Sequence, residues 1–173
     1  MGNSFDFAER FDDAVKTASE LVAALKEKSL KISAAESCTG GLFAALITSV
    51  PGASAVIDGS CVSYSEKIKT EIVKVDAEII EKYGVVSTET ARAMAHGAAK
   101  LFHADIGVGI TGWAGPDIGD DGKPAGTVCI AVSFGKAESF GEYHFDGTRL
   151  AVRLAASKKA AELAREMTEK TAD

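Results

Sequence analysis

Three consecutive side chains that could act as nucleophiles, Ser37, Cys38 and Thr39, are followed directly by Gly40 and Gly41. Glycines let a ligand approach the backbone closely, and free N–H groups at the start of a helix stabilise a phosphate or a developing oxyanion. The segment therefore predicts a nucleophilic turn that also holds an anion. The alternative is that the Ser37 or Thr39 hydroxyl only caps the following helix.

A serine nucleophile needs a base, and Tyr64, Lys67 and Lys69 are the candidates. An amine acts as a base when burial or a neighbouring cation lowers its pKa. The alternative is that both lysines are solvated at the start of a helix. Cys38 stays a minor alternative nucleophile, because a thiol is intrinsically more nucleophilic than a hydroxyl.

A second glycine-rich turn contains Thr111, Gly112 and Gly115 and follows a short apolar run. Glycine loses much conformational freedom when it is ordered, so a ligand or a special geometry is a plausible reason for this turn. Thr111 could hydrogen-bond a ligand or a catalytic partner. The alternative is a turn that only requires positive φ angles.

Arg149 and Arg153 lie one helical turn apart and share a face of the last predicted helix. Arginine binds phosphate through two hydrogen bonds, and a helix N-terminus favours anions. Pairing with acidic side chains at the surface is an equally good interpretation. The histidines and cysteines show no metal-ligand spacing, so no metal site is predicted.

Alternating helix and strand patterns predict the elements that must position these residues. Helices are expected over Phe5–Lys28, Leu42–Val50, Ile68–Val75, Asp76–Tyr83, from Ser87 or Thr88 to Phe102, and after a Thr148 cap; strands are expected over Leu30–Ala35, Ser60–Ser65, Ile106–Ile110, Thr127–Phe134 and Ser139–Phe145. This order predicts an α/β fold, a three-layer α/β/α sandwich with a mixed, mainly parallel sheet. Such sheets bind ligands outside the carboxyl ends of their strands, where both glycine-rich turns are expected.

Composition limits the function further. The chain has 173 residues, 46% of them apolar, and a net charge of −6, which predicts one soluble domain over residues 1–173. No apolar run reaches the ~18 residues of a membrane span, and Met1–Asp13 does not resemble a signal peptide, so a cytoplasmic protein without a membrane partner is expected. The acidic balance argues against a nucleic-acid partner but allows a local basic pocket for one small anion.

Six segments in order resemble the C-terminal domain of the CinA family, which also includes stand-alone nicotinamide-nucleotide amidases (PncC). The resemblance covers about residues 14–168. The matching segments are 35–41, 62–65 with Lys69, 83–87, 111–117, 123–128, and 146–149 continuing to Arg153. The N-terminal domain of longer CinA proteins has no counterpart here, so its metal site and activity are not expected.

The resemblance implies hydrolysis of nicotinamide mononucleotide to nicotinate mononucleotide and ammonia, as part of NAD recycling. It implies Ser37 as the nucleophile, Lys69 as its base, and Tyr64 and Thr111 as assisting residues. No metal or other cofactor is implied, and the partner is a small nucleotide substrate. The residues expected to bind that substrate are Thr39, Gly40, Gly41, Gly112, Gly115, Arg149 and Arg153.

Glu66 departs from the resemblance, because the family commonly has asparagine there. A carboxylate beside Lys69 would raise the pKa of that lysine and weaken it as a base. A non-catalytic module that binds a pyridine nucleotide or a phosphate is therefore one alternative. A protein-interaction domain linked to competence or DNA damage is another. The amphipathic first helix could pack on its own domain or on a second subunit, which leaves a homo-oligomer (dimer or higher) open.

Overall fold

One five-stranded sheet lies between two helical layers in the computed structural model, which describes residues 6–170. The helices are α1 (Phe7–Glu27), α2 (Leu42–Thr48), α3 (Glu66–Glu71), α4 (Ala77–Tyr83), α5 (Thr88–Phe102) and α6 (Arg149–Lys170). The strands are β1 (Ile32–Glu36), β2 (Ile57–Val62), β3 (Ile106–Gly112), β4 (Thr127–Phe134) and β5 (Ala137–His144). Phe5, the first residue of the predicted first helix, lies outside the described residues.

The sheet has the strand order β2-β1-β3-β4-β5. β1 pairs in parallel with both β2 and β3, while β3–β4 and β4–β5 are antiparallel. Four strands therefore run in one direction and β4 alone runs against them. The predicted mixed, mainly parallel sheet is confirmed, and the predicted hairpin is β4–β5.

Helix starts follow local capping chemistry. The Asp6, Asp76 and Ser87 side chains accept hydrogen bonds from the first turns of α1, α4 and α5. Ser65 caps α3 by accepting from the Ile68 N–H at 3.3 Å. This cap explains why α3 starts at residue 66 rather than at the predicted residue 68, and why β2 ends at residue 62 rather than at the predicted residue 65.

Alternating side chains of the sheet point to opposite faces and join separate hydrophobic clusters. Ile106, Val108 and Ile110 of β3 join the core formed with α1, α2 and α6. On the opposite face, Gly107 and Gly109 leave room for α5. The cores thus account for the two helical layers. Among the helices within residues 6–170, none has the length and apolar character needed to cross a membrane.

Strand register brings three chain segments to one edge. Glu36, the last residue of β1, pairs with Val62 of β2 on one side and with Ile110 of β3 on the other. Neighbouring parallel strands end at the same edge of a sheet. The residues that follow them, Ser37 after β1 and Ser63 after β2, therefore meet beside Thr111 of β3.

Candidate active site

A cavity of about 410 Å³ opens at the carboxyl ends of β1, β2 and β3. This volume is within the range typical of small-molecule sites. The side chains and backbone that line it come from the end of β3, from the segments after the three strands, from α3, from the α4–α5 connection and from the start of α6. They are Ser37, Cys38, Tyr64, Ser65, Glu66, Lys69, Val85, Val86, Thr111, Gly112, Trp113, Ala114, Gly115, Asp117, Ile118 and Arg149.

Lys69 is fully buried, and its Nζ lies 2.9 Å from the Ser37 Oγ. The same nitrogen donates hydrogen bonds to the Ser63 carbonyl at 2.7 Å and the Tyr64 carbonyl at 3.4 Å. A neutral amine has two N–H groups and one lone pair. With both N–H groups on these carbonyls, the lone pair faces the Ser37 hydroxyl, which is the arrangement that general-base activation of a serine needs.

Burial lowers the pKa of Lys69 from 10.5 to about 8, while Cys38 and Glu66 act in the opposite direction. The sign of the predicted Glu66 effect is therefore correct, but desolvation of the ammonium group outweighs it. A substantial fraction of Lys69 is neutral near pH 8. The carboxylate at position 66 thus offsets only part of the effect of burial on the pKa of Lys69.

The two alternative nucleophiles are less suited to the reaction. Burial raises the pKa of the Cys38 thiol to about 12, so the thiolate is scarce at neutral pH. Thr39 is fully buried and does not line the cavity. Of the three adjacent candidates, Ser37 is the one whose oxygen meets a base.

The Arg149 side chain connects the glycine-rich loop at Gly115 with Tyr64 through two hydrogen bonds. Its Nη1 donates to the Gly115 carbonyl at 2.7 Å and its Nη2 donates to the Tyr64 hydroxyl at 2.9 Å. Because the Tyr64 oxygen accepts this bond, its own proton is free to be donated into the cavity. Tyr64 is 61% exposed, so a ligand can reach that hydroxyl.

Thr111 is almost fully buried and donates its hydroxyl proton to the Val85 carbonyl at 2.8 Å. Its oxygen keeps lone pairs that can accept a hydrogen bond, and Thr111 lines the cavity. An amide NH₂ group is a matching donor. The structure thus places Ser37, Lys69, Tyr64 and Thr111 around one cavity.

The structure does not bring Gly40 and Gly41 to the cavity. The Glu36 carboxylate accepts the Gly41 N–H at 3.0 Å, and the Ser37 carbonyl accepts the Gly40 N–H at 3.1 Å. Both N–H groups are thus already used within the protein. The expected anion or oxyanion site at these glycines has no free donors there.

Arg153 also points away from the cavity, although it shares a helix face with Arg149. Its Nε and Nη2 donate to the Cys38 and Thr39 carbonyls at 3.1 and 2.9 Å. The expectation that Arg153 and Thr39 bind substrate is not supported by this placement. Arg153 instead holds the backbone that follows Ser37.

Glu36 is the important residue that the sequence interpretation missed. It is fully buried, and its carboxylate accepts N–H groups of Gly41, Phe43 and Ala44 at 3.0 to 3.1 Å. A carboxylate at a helix start is stabilised by the orphan N–H groups and the helix dipole. The available signal was an acidic residue at the end of an apolar strand, just before a helix.

Metal ligation has no candidate site in the described part of the chain. Within residues 6–170, no three histidine, cysteine, aspartate or glutamate side chains are grouped so that they could hold a metal ion. The cations that face the cavity are Lys69 and Arg149.

Comparison with known proteins agrees with the fold and the motifs. A family model described as the CinA C-terminal domain matches residues 14–168. A CinA-like protein of Cytophaga hutchinsonii is 53% identical over 109 residues, which are 63% of this chain and 26% of that protein. A CinA-like protein of Dictyoglomus thermophilum is 46% identical over 134 residues, which are 78% of this chain and 33% of that protein. The chain thus spans about a quarter to a third of these curated relatives.

Solved structures extend the similarity over most of the chain. A CinA superfamily protein from Klebsiella pneumoniae superposes with a TM-score of 0.88 at 31% identity, covering 91% of this chain and 98% of that one. The competence/damage inducible protein CihA of Agrobacterium tumefaciens superposes with a TM-score of 0.82 at 36% identity, covering 87% of this chain and 92% of that one.

Proposed function

This chain belongs to the CinA family, whose C-terminal domain it matches over residues 14–168, and from that premise we propose that it hydrolyses a carboxamide. The proposed substrate is nicotinamide mononucleotide and the products are nicotinate mononucleotide and ammonia, a reaction of NAD recycling. The observation that carries the proposal is the 2.9 Å contact between the buried Lys69 amine and the Ser37 hydroxyl.

The acylation step follows from this contact. The Ser37 oxygen attacks the amide carbon as its proton passes to the Lys69 lone pair. The tetrahedral intermediate collapses, the C–N bond breaks, and the leaving nitrogen takes the proton from Lys69 to depart as ammonia, which returns Lys69 to its neutral form. Tyr64, whose hydroxyl accepts from Arg149 at 2.9 Å, is placed to donate into the cavity. Thr111 is placed to accept from the amide NH₂ and orient it.

Deacylation uses the same base. Water attacks the ester carbonyl of the acyl-Ser37 intermediate while Lys69 takes one of its protons. The C–O bond to Ser37 breaks, the serine oxygen takes this proton back from Lys69, and the product loses its carboxyl proton to solvent and leaves as the nicotinate carboxylate. The cycle restores both residues without any further reactant.

Arg149 supports a nucleotide substrate. It is the first residue of the 22-residue helix α6 and lines the cavity. A guanidinium and a helix N-terminus both favour a phosphate. The cavity therefore has a nucleophile at its buried end and a cation at its exposed end, which suits an amide joined to a phosphorylated ribose.

Purified protein incubated with nicotinamide mononucleotide should release equal amounts of ammonia and nicotinate mononucleotide. Ser37→Ala should abolish product formation without changing the thermal melt. Ser54→Ala removes an exposed hydroxyl outside the cavity and should leave the rate unchanged.

Absence of product from a folded protein contradicts the amidase proposal, and a rise in melting temperature with the nucleotide but without product supports a binding module instead. Activity of Ser37→Ala would direct attention to Cys38.

A further inference from the structure

One wall of the cavity carries a carboxylate beside the proposed base. Glu66 is the first residue of α3 and precedes Lys69 by three positions, so both side chains share a face of that helix. Both line the cavity. Glu66 is within electrostatic reach of Lys69, because its charge contributes to the pKa of that lysine. No ion pair within residues 6–170 includes the Glu66 carboxylate.

The position of the reacting carbon limits where the rest of an amide substrate can lie. That carbon must contact the Ser37 oxygen, which is 2.9 Å from the Lys69 nitrogen. An aromatic ring bonded directly to that carbon then lies inside the same cavity, whose lining includes Glu66. Since Lys69 must be neutral to accept a proton, the net charge of Glu66 and Lys69 in the reactive state is the negative charge of Glu66.

The remaining charged residues of the cavity lie on the glycine-rich loop and at the start of α6. The Arg149 guanidinium donates to the Gly115 carbonyl and the Tyr64 hydroxyl. Asp117 lines the cavity from the loop, and both Asp117 and Glu66 are exposed to solvent. Of the two carboxylates at the cavity, Glu66 is the one on the helix that carries the base.

We infer that Glu66 determines specificity, so that the cavity prefers amides carried on a cationic pyridinium ring to the same amides on a neutral ring. This selectivity rests on the proposed amidase function and names its substrate class more closely. An N-glycosylated nicotinamide ring carries a positive charge, whereas its dihydro form is neutral. A nearby carboxylate attracts the first and has no such attraction for the second.

The oxidised and reduced forms of nicotinamide mononucleotide provide a matched pair of substrates. They have the same amide, ribose and phosphate and differ in ring charge. The kcat/KM of each is measured at pH 8 for the wild type and for Glu66→Gln. Any change in the basicity of Lys69 affects both substrates, so the ratio of the two values isolates the effect of ring charge.

Glu66→Gln should lower the ratio of oxidised to reduced substrate by about five- to tenfold. Glu66→Asp keeps the charge and should retain most of the wild-type preference. Glu71→Gln removes the same charge from an exposed position of α3 outside the cavity and should leave the ratio unchanged. An unchanged ratio in Glu66→Gln, or an equal loss in Glu71→Gln, overturns the inference.

Binding to the Ser37→Ala variant separates this inference from the proposed function. Calorimetry with both nucleotide forms, with and without Glu66→Gln, measures the same preference as a ratio of dissociation constants. If the wild type hydrolyses neither form, the amidase proposal fails while the binding ratio still decides the role of Glu66. If the wild type is active but Glu66→Gln changes neither the kcat/KM ratio nor the ratio of dissociation constants, the Glu66 inference alone fails.

Discussion

Lys69 is suited to act as a base because of where its nitrogen lies. A fully buried ammonium loses hydration that two carbonyls and one hydroxyl only partly replace, and this lowers its pKa to about 8. The same burial would be unfavourable for a lysine without a catalytic task. At this scale the site depends on one desolvated amine rather than on a triad of residues.

The kcat/KM for nicotinamide mononucleotide should rise with pH and level off above a midpoint near 8, because only neutral Lys69 accepts the Ser37 proton. A profile from pH 6.5 to 9.5 measures this. Lys69→Arg should be inactive across the range, because arginine stays protonated. Cys38 and Glu66, which both act to raise the pKa of Lys69, stay unchanged in that control. A flat profile would exclude Lys69 as the titrating base.

At the scale of elements, two arginines in the first two turns of α6 contact the site in different ways. Arg149 reaches the cavity wall, whereas Arg153 holds two carbonyls of the segment that follows Ser37. Glu36 holds the far end of that segment through the N–H groups at the start of α2. The proposed nucleophile, Ser37, is thus held between a buried carboxylate and an arginine from a distant helix.

The two arginines should therefore differ in kinetics. Arg149→Ala should raise KM by about tenfold or more, because it removes a charged ligand contact. Arg153→Ala should mainly lower kcat, with KM changed little, and should destabilise the fold by about 1–3 kcal/mol. Steady-state kinetics and urea unfolding measure these effects.

Arg165→Ala is the control for the kinetic constants. It removes an arginine of α6 that pairs with Glu20 of α1 and does not line the cavity. Arg153→Lys should retain part of the kcat that Arg153→Ala loses, because a lysine can still donate to one of the carbonyls that Arg153 holds. Equal effects of Arg149→Ala and Arg153→Ala on KM would instead indicate that both residues bind substrate.

At the scale of the whole molecule, the three layers depend on the close approach of α5 to the sheet. A Cβ at Gly109 would lie 2.0 Å from the Ala91 carbonyl oxygen, and one at Gly107 would lie 2.0 Å from the Ala95 carbonyl oxygen. Both obstacles are backbone atoms of a helix, so a small shift cannot relieve them. The absence of side chains at two positions of β3 thereby sets the spacing of a whole layer.

Gly109→Ala should lower the free energy of unfolding by about 2–3 kcal/mol, because the added methyl group forces α5 away from β3. Gly141→Ala is the matched strand control, since its nearest neighbour is the flexible Tyr143 side chain at 3.1 Å. Urea unfolding should separate the two variants clearly. A Gly109→Ala protein as stable as Gly141→Ala would show that α5 can adjust its position.

Local patterns were enough to predict most elements, because helix periodicity, strand alternation and caps depend on residues close in the chain. The Ser87 cap of α5 and the β4–β5 hairpin are confirmed examples. Boundaries near the site were less predictable. Residues 63–65 continue the alternation of β2, but the Ser65 cap commits the chain to a helix.

The sequence by itself determined the order of elements, the resemblance to a known family and the set of reactive residues. Only the tertiary structure decided which of these residues meet. Ser37 and Lys69 are 32 positions apart, and Arg153 reaches Thr39 across 114. Helix periodicity alone predicts the same role for Arg149 and Arg153. A glycine pair after a strand likewise predicts free N–H groups, which the structure shows to be occupied. The partners of the two arginines come from distant segments, and hydrogen bonding and desolvation depend on neighbours in space rather than on spacing along the chain.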